Sequence, residues 1–549
     1  MPRTVVPTTS LPANTSDDVI VIGGGHNGLV CAFYLAKAGA KVTVLERGEQ
    51  VGGAAITEEF HPGFKNSVAS YTVSLLNPKV ITDMDLHRHG LKILERKVNN
   101  FWPHQHNGKH DFLAFAVGFE HLKKEIARYS QHDADNLERY FADIELVANL
   151  IRDQLLKTPP NAGGGLKDVL KLIALGNRTR KLTTEQKTVL MDIFTKSVAD
   201  FLSLYFENEF VKGAFAFDGI VGTYASPHTP GTAYVLMHHA FGEVNGKQGV
   251  WGHAVGGMGA ITQAMQKACQ QQGVEIVLKA EVSKVLSANG YATGVELCDG
   301  QQIMARTLAA NVNPSLLFDK LVDASVLPES FTRRIKHYKN ASGTFRMNVA
   351  LDKLPSFSCL QEQDRASTQH LTGGIVIGPT LDYLDQAYLD ARQHGWSKQP
   401  VVEMLIPSTL DDSLAPPGQH VASLFCQQFE PDVDGDIDNW DTHRDAAVET
   451  ILNCVEAHAP GFKASIVGMQ VLSPLDLERK IGLTKGDIMH GVLSLDQMYS
   501  SRPMLGYGTY RSPIKGLYLC GSGTHPGGGV TGVPGHNAAH EMLKDKLWK

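Results

Sequence analysis

Near the N-terminus, the pattern of hydrophobic and polar positions predicts a strand, a helix and a second strand. Residues 19–22 form a short β-branched apolar run, which is typical of a buried parallel strand. The following stretch predicts a helix over residues 27–38 that ends at Gly39, and residues 41–45 predict the second strand. The residues of this helix that face the sheet are Leu29, Ala32, Phe33 and Ala36.

Two distant stretches show the same kind of pattern. Residues 261–272 predict an amphipathic helix, and residues 273–278 predict a strand. Residues 281–285 begin a predicted hairpin that continues through residues 294–297 and turns at 299–300. Residues 516–520 predict a buried strand, which leads into a glycine-rich loop and then a helix. We therefore predict one discontinuous α/β domain, made of residues 17–100, 246–324 and 491–549.

The intervening residues, 101–245 and 325–490, are predicted to form an inserted α+β substrate domain. Residues 201–217 are rich in aromatic side chains at helical spacing, which favours core packing and leaves a tunnel wall as the alternative. Residues 401–406 and 421–425 predict strands. Residues 1–16, rich in Thr, Ser and Pro, are predicted to be a flexible tail.

The loop after the first strand carries three glycines at the spacing G-x-G-x-x-G. Gly23 permits a tight turn, Gly25 lets the backbone approach a pyrophosphate, and Gly28 lets the helix pack on the strand. His26 and Asn27 lie where this loop meets the predicted helix, whose N-terminal N–H groups favour an anion. Glu46, at the end of the second strand, is positioned to accept hydrogen bonds from a ribose and to repel a 2′-phosphate. The pattern predicts a dinucleotide site.

A second glycine pair favours FAD over NAD. Gly52 and Gly53, between Arg47 and Ala54, allow another loop to close over the pyrophosphate of a longer cofactor. From residue 19 to residue 53 the chain resembles the FAD fingerprint of glutathione-reductase-type flavoproteins. The resemblance implies a two-dinucleotide-binding fold, FAD held without a covalent bond, and an adenine contact at the backbone of Val282, where an ordinary hairpin is the alternative.

The C-terminal glycine loop indicates which group of flavoproteins the chain resembles most. It contains Gly521, Ser522 and His525 and leads through Gly532 and Val533 into the last helix. This loop and the segment 251–260 resemble those of the phytoene desaturases. Most flavoproteins of the broader group have Gly-Asp where this chain has Gly521-Ser522, so the usual carboxylate contact to the ribityl chain is in doubt. A helix N-terminus at the flavin would stabilise negative charge on the reduced ring.

The resemblance implies an oxidoreductase that moves a hydride between flavin N5 and a hydrophobic substrate of the isoprenoid kind. His525 is the candidate catalytic side chain, with a loop-ordering hydrogen bond as its alternative role. Two other functions stay open: a redox-neutral flavin isomerase, and a flavin-stabilised scaffold with little turnover. No second G-x-G-x-x-G lies between a predicted strand and helix, so we expect no separate nicotinamide site.

Composition and charge exclude some classes of function. The net charge is −6 and no Lys/Arg block occurs, so no nucleic-acid partner is expected. The seven cysteines form no C-x-x-C pair, which excludes disulfide reduction and indicates a reducing, intracellular location. The location is cytoplasmic or peripheral at a membrane, with a mitochondrial one as the alternative in a eukaryote. The oligomeric state stays open.

Two sequence patterns imitate metal sites. Residues 432–438 lack the glycine and the closing glutamate of a calcium loop. His104, His106 and His110 lie in a segment that predicts a polar Asn-Gly turn between strands. We therefore predict no metal.

Overall fold

The structure is a computed structural model that describes residues 17–96, 98–106, 109–116, 118–161, 164–361 and 368–547. The predicted tail, residues 1–16, lies outside the described residues. The strands are β1 (Asp17–Ile22), β2 (Val42–Leu45), β3 (Thr57–His61), β4 (Phe64–Ser67), β5 (Ile93–Glu95), β6 (Val98–His106), β7 (Lys109–Ala116), β8 (Glu243–Val244), β9 (Lys247–Gln248), β10 (Gly252–Ala254), β11 (Glu275–Val277), β12 (Val282–Ala288), β13 (Tyr291–Leu297), β14 (Gln302–Ala310), β15 (Phe345–Leu351), β16 (Gly374–Ile377), β17 (Trp396–Leu405), β18 (His420–Phe429), β19 (Ile466–Leu472) and β20 (Leu517–Leu519).

The described residues also form fifteen α-helices, seven of which follow one another without an intervening strand. They are α1 (His26–Lys37), α2 (Pro78–Asp83), α3 (Phe119–Ala127), α4 (Gln131–Leu155), α5 (Leu166–Arg180), α6 (Thr184–Thr195), α7 (Val198–Leu202), α8 (Glu209–Ile220), α9 (Thr232–Ala240), α10 (Gly259–Gln271), α11 (Glu329–Ile335), α12 (Leu381–His394), α13 (Trp440–His458), α14 (Pro474–Ile481) and α15 (Val533–Asp545).

The first large sheet has the order β11-β2-β1-β14-β13-β12, and β20 also pairs with β14. The pairs β11–β2, β2–β1, β1–β14 and β14–β20 are parallel, which puts the carboxyl ends of these strands at one edge. The apolar run of β1 is fully buried at its centre, as its continuous β-branched pattern predicts. The fold is therefore mixed α/β with a Rossmann-like sheet.

Helices α1, α10 and α15 cover this sheet and share one core with it. Helices α1 and α15 approach each other closely, because a Cβ on Gly535 would lie only 2.1 Å from the carbonyl oxygen of Asn27. The strands of this sheet come from three separate parts of the chain. The exact domain boundaries stay a prediction.

The second large sheet has the order β19-β15-β18-β17-β16-β6-β7. All its pairs are antiparallel except β16–β6. Its strands come from residues 98–116, 345–377, 396–429 and 466–472, and α13 packs against it in a separate core. This sheet lies in the region that the sequence predicts to be α+β.

The local predictions of strands and helices agree with the structure. The aromatic stretch 201–217 contains the end of α7, a connection at 203–208 and most of α8. Buried Asp133 holds this connection, because its carboxylate accepts the N–H groups of Glu207 and Asn208 at 2.8 and 3.0 Å. The side chain of Asn208 then caps α8.

The histidine-rich segment forms the paired strands β6 and β7, as the turn prediction requires. Residues 107 and 108, which include the predicted turn, lie outside the described residues. Within the described part of the chain, we find no helix that is long and apolar enough to cross a bilayer.

Candidate functional site

The first glycine loop connects β1 to α1 with almost no space for side chains. A Cβ on Gly28 would lie 2.2 Å from the carbonyl oxygen of Gly23, and one on Gly25 would lie 2.9 Å from Asn311 Nδ2. Gly23 itself has a φ of +95°. No side chain caps the start of α1 at Gly25. The loop therefore presents bare backbone and a helix N-terminus, as an anion site requires.

The second glycine pair packs directly on this loop. The N–H of Gly52 donates to the carbonyl of Gly24 at 2.9 Å, and Gly25 and Gly52 form a parallel bridge. Gly53 also lies against Gly25. The structure thus joins the two predicted glycine motifs into one continuous backbone surface.

Glu46 and Val282 lie at one end of this surface. Glu46 accepts the N–H of Gly24 through Oε2 and that of Gly48 through Oε1, both at 2.7 Å. The backbone carbonyl of Glu46 accepts the N–H of Ala280, two residues before Val282. Arg47 lies 3.9 Å from Glu281. These contacts hold the predicted ribose and adenine residues together, and they orient the Glu46 carboxylate along the glycine loop.

The C-terminal glycine loop, which contains Gly521 and Ser522, lies at the other end of this backbone surface. Asn27 Nδ2 donates to Ser522 Oγ at 3.0 Å, so the residue that replaces the usual acid is linked to the first glycine loop. Gly521 lies against Asn311, and Gly532, with a φ of +73°, precedes Val533 at the start of α15. No side chain caps α15 either. Two helix N-termini therefore border the same region.

The polar atoms of this region fit a dinucleotide. His26 Nε2 and Asn27 Oδ1 are buried, and neither has a hydrogen-bond partner among the described residues. Buried polar atoms are rarely left unpaired, so these two are available to a polar ligand. Together with glycines whose positions exclude a Cβ, they indicate a ligand that lies along the backbone of both loops.

A cavity of about 130 Å³ opens beside the C-terminal loop. His26, Ala54 and Ser522 from the predicted cofactor site form one part of its wall. Apolar side chains from both predicted domains form much of the rest of the wall: Leu75, Val221, Met258, Ile488, Met489 and Val530. The cavity can therefore place an apolar molecule next to the dinucleotide site.

A buried polar cluster lies behind one wall of the cavity. The hydroxyl of Tyr71, a lining residue, donates to Glu403 Oε2, and the guanidinium of Arg346 lies 4.5 Å from the centre of the Tyr71 ring. Burial raises the pKa of Glu403, and the charges of Arg96 and Arg346 oppose that shift. Burial and Glu403 raise the pKa of Tyr71 well above its usual range. Tyr71 is therefore a neutral phenol at the cavity.

Three histidines of the cavity wall are uncharged at neutral pH. Burial lowers the pKa of His26 and of His239 to about 4, and that of His490 to about 3. For His490, the neighbouring groups His26 and Arg502 contribute to this lowering of the pKa. These imidazoles can donate or accept hydrogen bonds without adding charge to an apolar cavity.

His525 does not belong to this wall. Its Nε2 lies 3.2 Å from the carbonyl oxygen of Gln154, at the end of α4, and its ring packs edge-on against Tyr499. Burial lowers its pKa to about 4. These contacts support the alternative role of His525, the ordering of its loop, more than a role in catalysis.

Sequence reasoning missed two residues that organise the site. Asn311 lies among Gly23, Gly25, Gly28 and Gly521, and its Nδ2 donates to the Gly23 carbonyl at 3.2 Å. Its place directly after β14, at the carboxyl edge of the parallel sheet, was a usable signal. Arg502 is fully buried and donates to five backbone carbonyls, including that of Ser522 at 3.0 and 3.2 Å. No local pattern marks Arg502.

The parallel sheet, the glycine loop and the uncapped start of α1 define a Rossmann-type dinucleotide-binding protein. Residues 21–84 match the model of the NAD(P)-binding Rossmann-like domain family. The chain is also 38% identical to rat pyridine nucleotide-disulfide oxidoreductase domain-containing protein 2 over 544 residues, which cover 96% of this chain and 93% of the relative. The chain therefore belongs to this family of oxidoreductases.

More distant relatives cover the same length of this chain. A limonene dehydrogenase polypeptide of Castellaniella defragrans is 26% identical over 96% of this chain and 94% of its own. Prolycopene isomerase 2 of an Oncidium hybrid cultivar is 26% identical over 96% of this chain and 84% of its own. An oxidoreductase structure from Methanosarcina mazei covers 96% of this chain and 99% of its own, with a TM-score of 0.57 and 16% identity, and so supports the fold.

Proposed function

We propose that this protein is an FAD-dependent oxidoreductase that moves a hydride between a hydrophobic substrate and non-covalently held FAD. The observation that carries the proposal is the shared cavity wall, in which His26, Ala54 and Ser522 of the dinucleotide site meet a largely apolar surface. When bound, FAD supplies a hydride acceptor or donor at flavin N5. The limonene dehydrogenase relative supports a terpene-like substrate.

In this proposal, the chain's own residues bind and orient. The glycine loops and the N-terminus of α1 would hold the pyrophosphate, the N-terminus of α15 would face the flavin, and Glu46 and Val282 would contact the adenosine end. His26 Nε2 and Asn27 Oδ1, which lack partners among the described residues, would be available to hydrogen-bond the cofactor. The apolar wall excludes water from the reacting carbon atoms.

Tyr71 is the side chain best placed to orient the substrate. It lines the cavity, and Glu403 and Arg346 fix its ring and hydroxyl. His525 faces α4 instead. Dehydrogenation removes a hydride, which would go to flavin N5, and a proton, which a neutral imidazole of the cavity wall such as His26 or His239 can accept. Tyr71 is already protonated and cannot accept it, so we assign Tyr71 a positioning role rather than a chemical one.

Two measurements test the proposal. The purified protein should be yellow, and acid should release intact FAD into the supernatant; flavin retained on the denatured chain would contradict non-covalent binding. Under anaerobic conditions, candidate terpenes and isoprenoids should bleach the flavin in a saturable way, while a polar amine of similar size should not. If no apolar compound bleaches the flavin or changes its spectrum, the scaffold alternative replaces the oxidoreductase.

One relative favours a second candidate, a redox-neutral flavin isomerase. Prolycopene isomerase 2 is similar to this chain over 96% of its length. An isomerase would convert its substrate without a change in mass and without an external electron acceptor. Mass spectrometry of the product therefore separates the two functions, because a dehydrogenase product is lighter by two hydrogen atoms.

A further inference from the structure

Helix α5 is exposed along its whole length, although it is rich in apolar residues. None of its residues is buried. Leu166, Val169, Leu170, Leu172 and Ile173 are each between 47% and 75% exposed. Large apolar side chains occur singly on most soluble surfaces, so five on one helix require an explanation.

The apolar stripe of α5 points away from the molecule. Leu166, Val169, Leu170 and Ile173 have the spacing of one helical face. The partly buried residues Asp168, Leu175 and Thr179 share the opposite face. In an ordinary surface helix the apolar stripe faces the core, so α5 has the reverse orientation.

Polar contacts hold α5 in this orientation. Asp168 Oδ1 accepts the N–H of Asn161 at 3.1 Å, in the segment before the helix. Arg178 lies 2.5 Å from Asp153 on α4. Apart from Leu175, the side of the helix that is attached to the protein is therefore polar.

Helix α5 and the residue after it carry a net positive charge, whereas the chain as a whole is negative. Residues 166–181 contain five basic residues and one acid, whereas the whole chain has a net charge of −6. Lys171 pairs with Asp168, and Arg178 pairs with Asp153. Lys167, Arg180 and Lys181 are exposed and form no ion pair with the described residues. Three cations are therefore available to an anionic partner.

We propose that α5 docks on an anionic lipid bilayer, lying in the plane of the interface with its apolar stripe inserted. An outward apolar face flanked by lysine and arginine is the pattern of interfacial helices, and the flanking cations complement anionic headgroups. Two-fold pairing of α5 with a second copy would bring two basic helices together, which opposes dimerisation through this surface. This docking goes beyond the proposed redox function and does not depend on it.

Vesicle co-sedimentation of the full-length, flavin-loaded protein tests the proposal. The protein should bind vesicles of phosphatidylcholine with phosphatidylserine, and it should bind pure phosphatidylcholine at least about tenfold more weakly, because each basic residue near the surface contributes roughly fivefold. Leu170→Asp with Ile173→Asp should abolish binding, and Lys167→Gln with Arg180→Gln should weaken it and reduce its salt dependence.

The matched control is Leu495→Asp, because Leu495 is 57% exposed and lies outside α5. It should bind vesicles as the parent does. All variants should keep the parent's thermal midpoint and flavin content, because the altered side chains are exposed. Equal binding to both vesicles, or unchanged binding of the α5 double variant, would overturn the proposal. A dimer in light scattering that the α5 variant dissociates would replace the membrane with a second copy of the chain.

Discussion

At the scale of single residues, the site depends on positions where a side chain cannot fit. A Cβ on Gly25 would meet Asn311 Nδ2 at 2.9 Å, on the surface that faces the second glycine pair. Gly25→Val should therefore block the approach of a pyrophosphate and lower flavin content at least about tenfold. The ratio of flavin absorbance to protein absorbance after purification measures this loss.

The matched control for Gly25 is Gly176→Val. A Cβ at Gly176, on exposed α5, would meet nothing within 4 Å. This variant should keep its full flavin content. Normal flavin content in Gly25→Val would remove the glycine loop from the cofactor site.

Asp218 gives a pH-dependent contribution to stability. Burial, with the nearby charge of Glu403, raises the pKa of the Asp218 carboxyl to about 7, whereas an unfolded aspartate titrates near 4. Folding therefore takes up a proton at this residue, and its contribution to the free energy of unfolding falls as pH rises from about 4 to about 7. Asp218→Asn should remove this fall.

The measurement is urea unfolding of the parent and of Asp218→Asn at pH 5 and pH 8. Relative to the parent, the variant should gain roughly 1 to 3 kcal/mol between the two conditions. Asp299→Asn, on an exposed turn, is the control and should not change the difference. A constant gap between parent and variant at both pH values would contradict a partly buried Asp218 that titrates near pH 7.

At the scale of elements, the site depends on how closely α1 and α15 pack. A Cβ on Gly535 would lie 2.1 Å from the Asn27 carbonyl and 3.1 Å from the Cys31 nitrogen. Gly535→Ala should push the helices apart and destabilise the protein by roughly 1 to 3 kcal/mol. It should also weaken flavin binding, because Asn27 and the start of α15 both border the site.

Thermal unfolding and flavin titration measure the two effects of Gly535→Ala. Gly176→Ala is the same exchange on an exposed helix, where alanine is favoured by up to about 1 kcal/mol. It should leave the protein equally stable or slightly more stable. If Gly535→Ala behaved like this control, the close approach of the two helices would be refuted.

At the scale of the whole molecule, the chain offers one glycine-rich dinucleotide loop among the described residues. The family model covers residues 21–84, which contain this loop, and the second sheet is antiparallel except at β16–β6. With FAD in the loop, we expect NADH and NADPH to reduce the flavin slowly and without saturation. Anaerobic stopped-flow bleaching against rising concentrations of each tests this expectation, and rapid, saturable reduction would reveal a nicotinamide site.

The sequence by itself determined the β1–α1–β2 unit, the glycine loops and the last helix. These features depend on local physics: β-branched runs form buried strands, helical spacing forms amphipathic helices, and a loop against a neighbouring backbone requires glycine. The same reasoning predicted Glu46 at the end of β2, the family resemblance added Val282, and the backbone bond from Ala280 to Glu46 brings the two segments together. The family resemblance added the flavin.

Only the tertiary structure decided which distant residues share the cavity. Asn27 and Ser522 are 495 positions apart, yet their side chains are hydrogen-bonded. Tyr71 contacts Glu403, and Arg502 binds the carbonyl of Ser522, through packing that no local period encodes. The same packing placed His525 against Gln154 on α4, and it separated α7 from α8 through the contacts of Asp133 with Glu207 and Asn208. It also left the apolar face of α5 outside, because the periodicity of a helix specifies a face but not what that face meets.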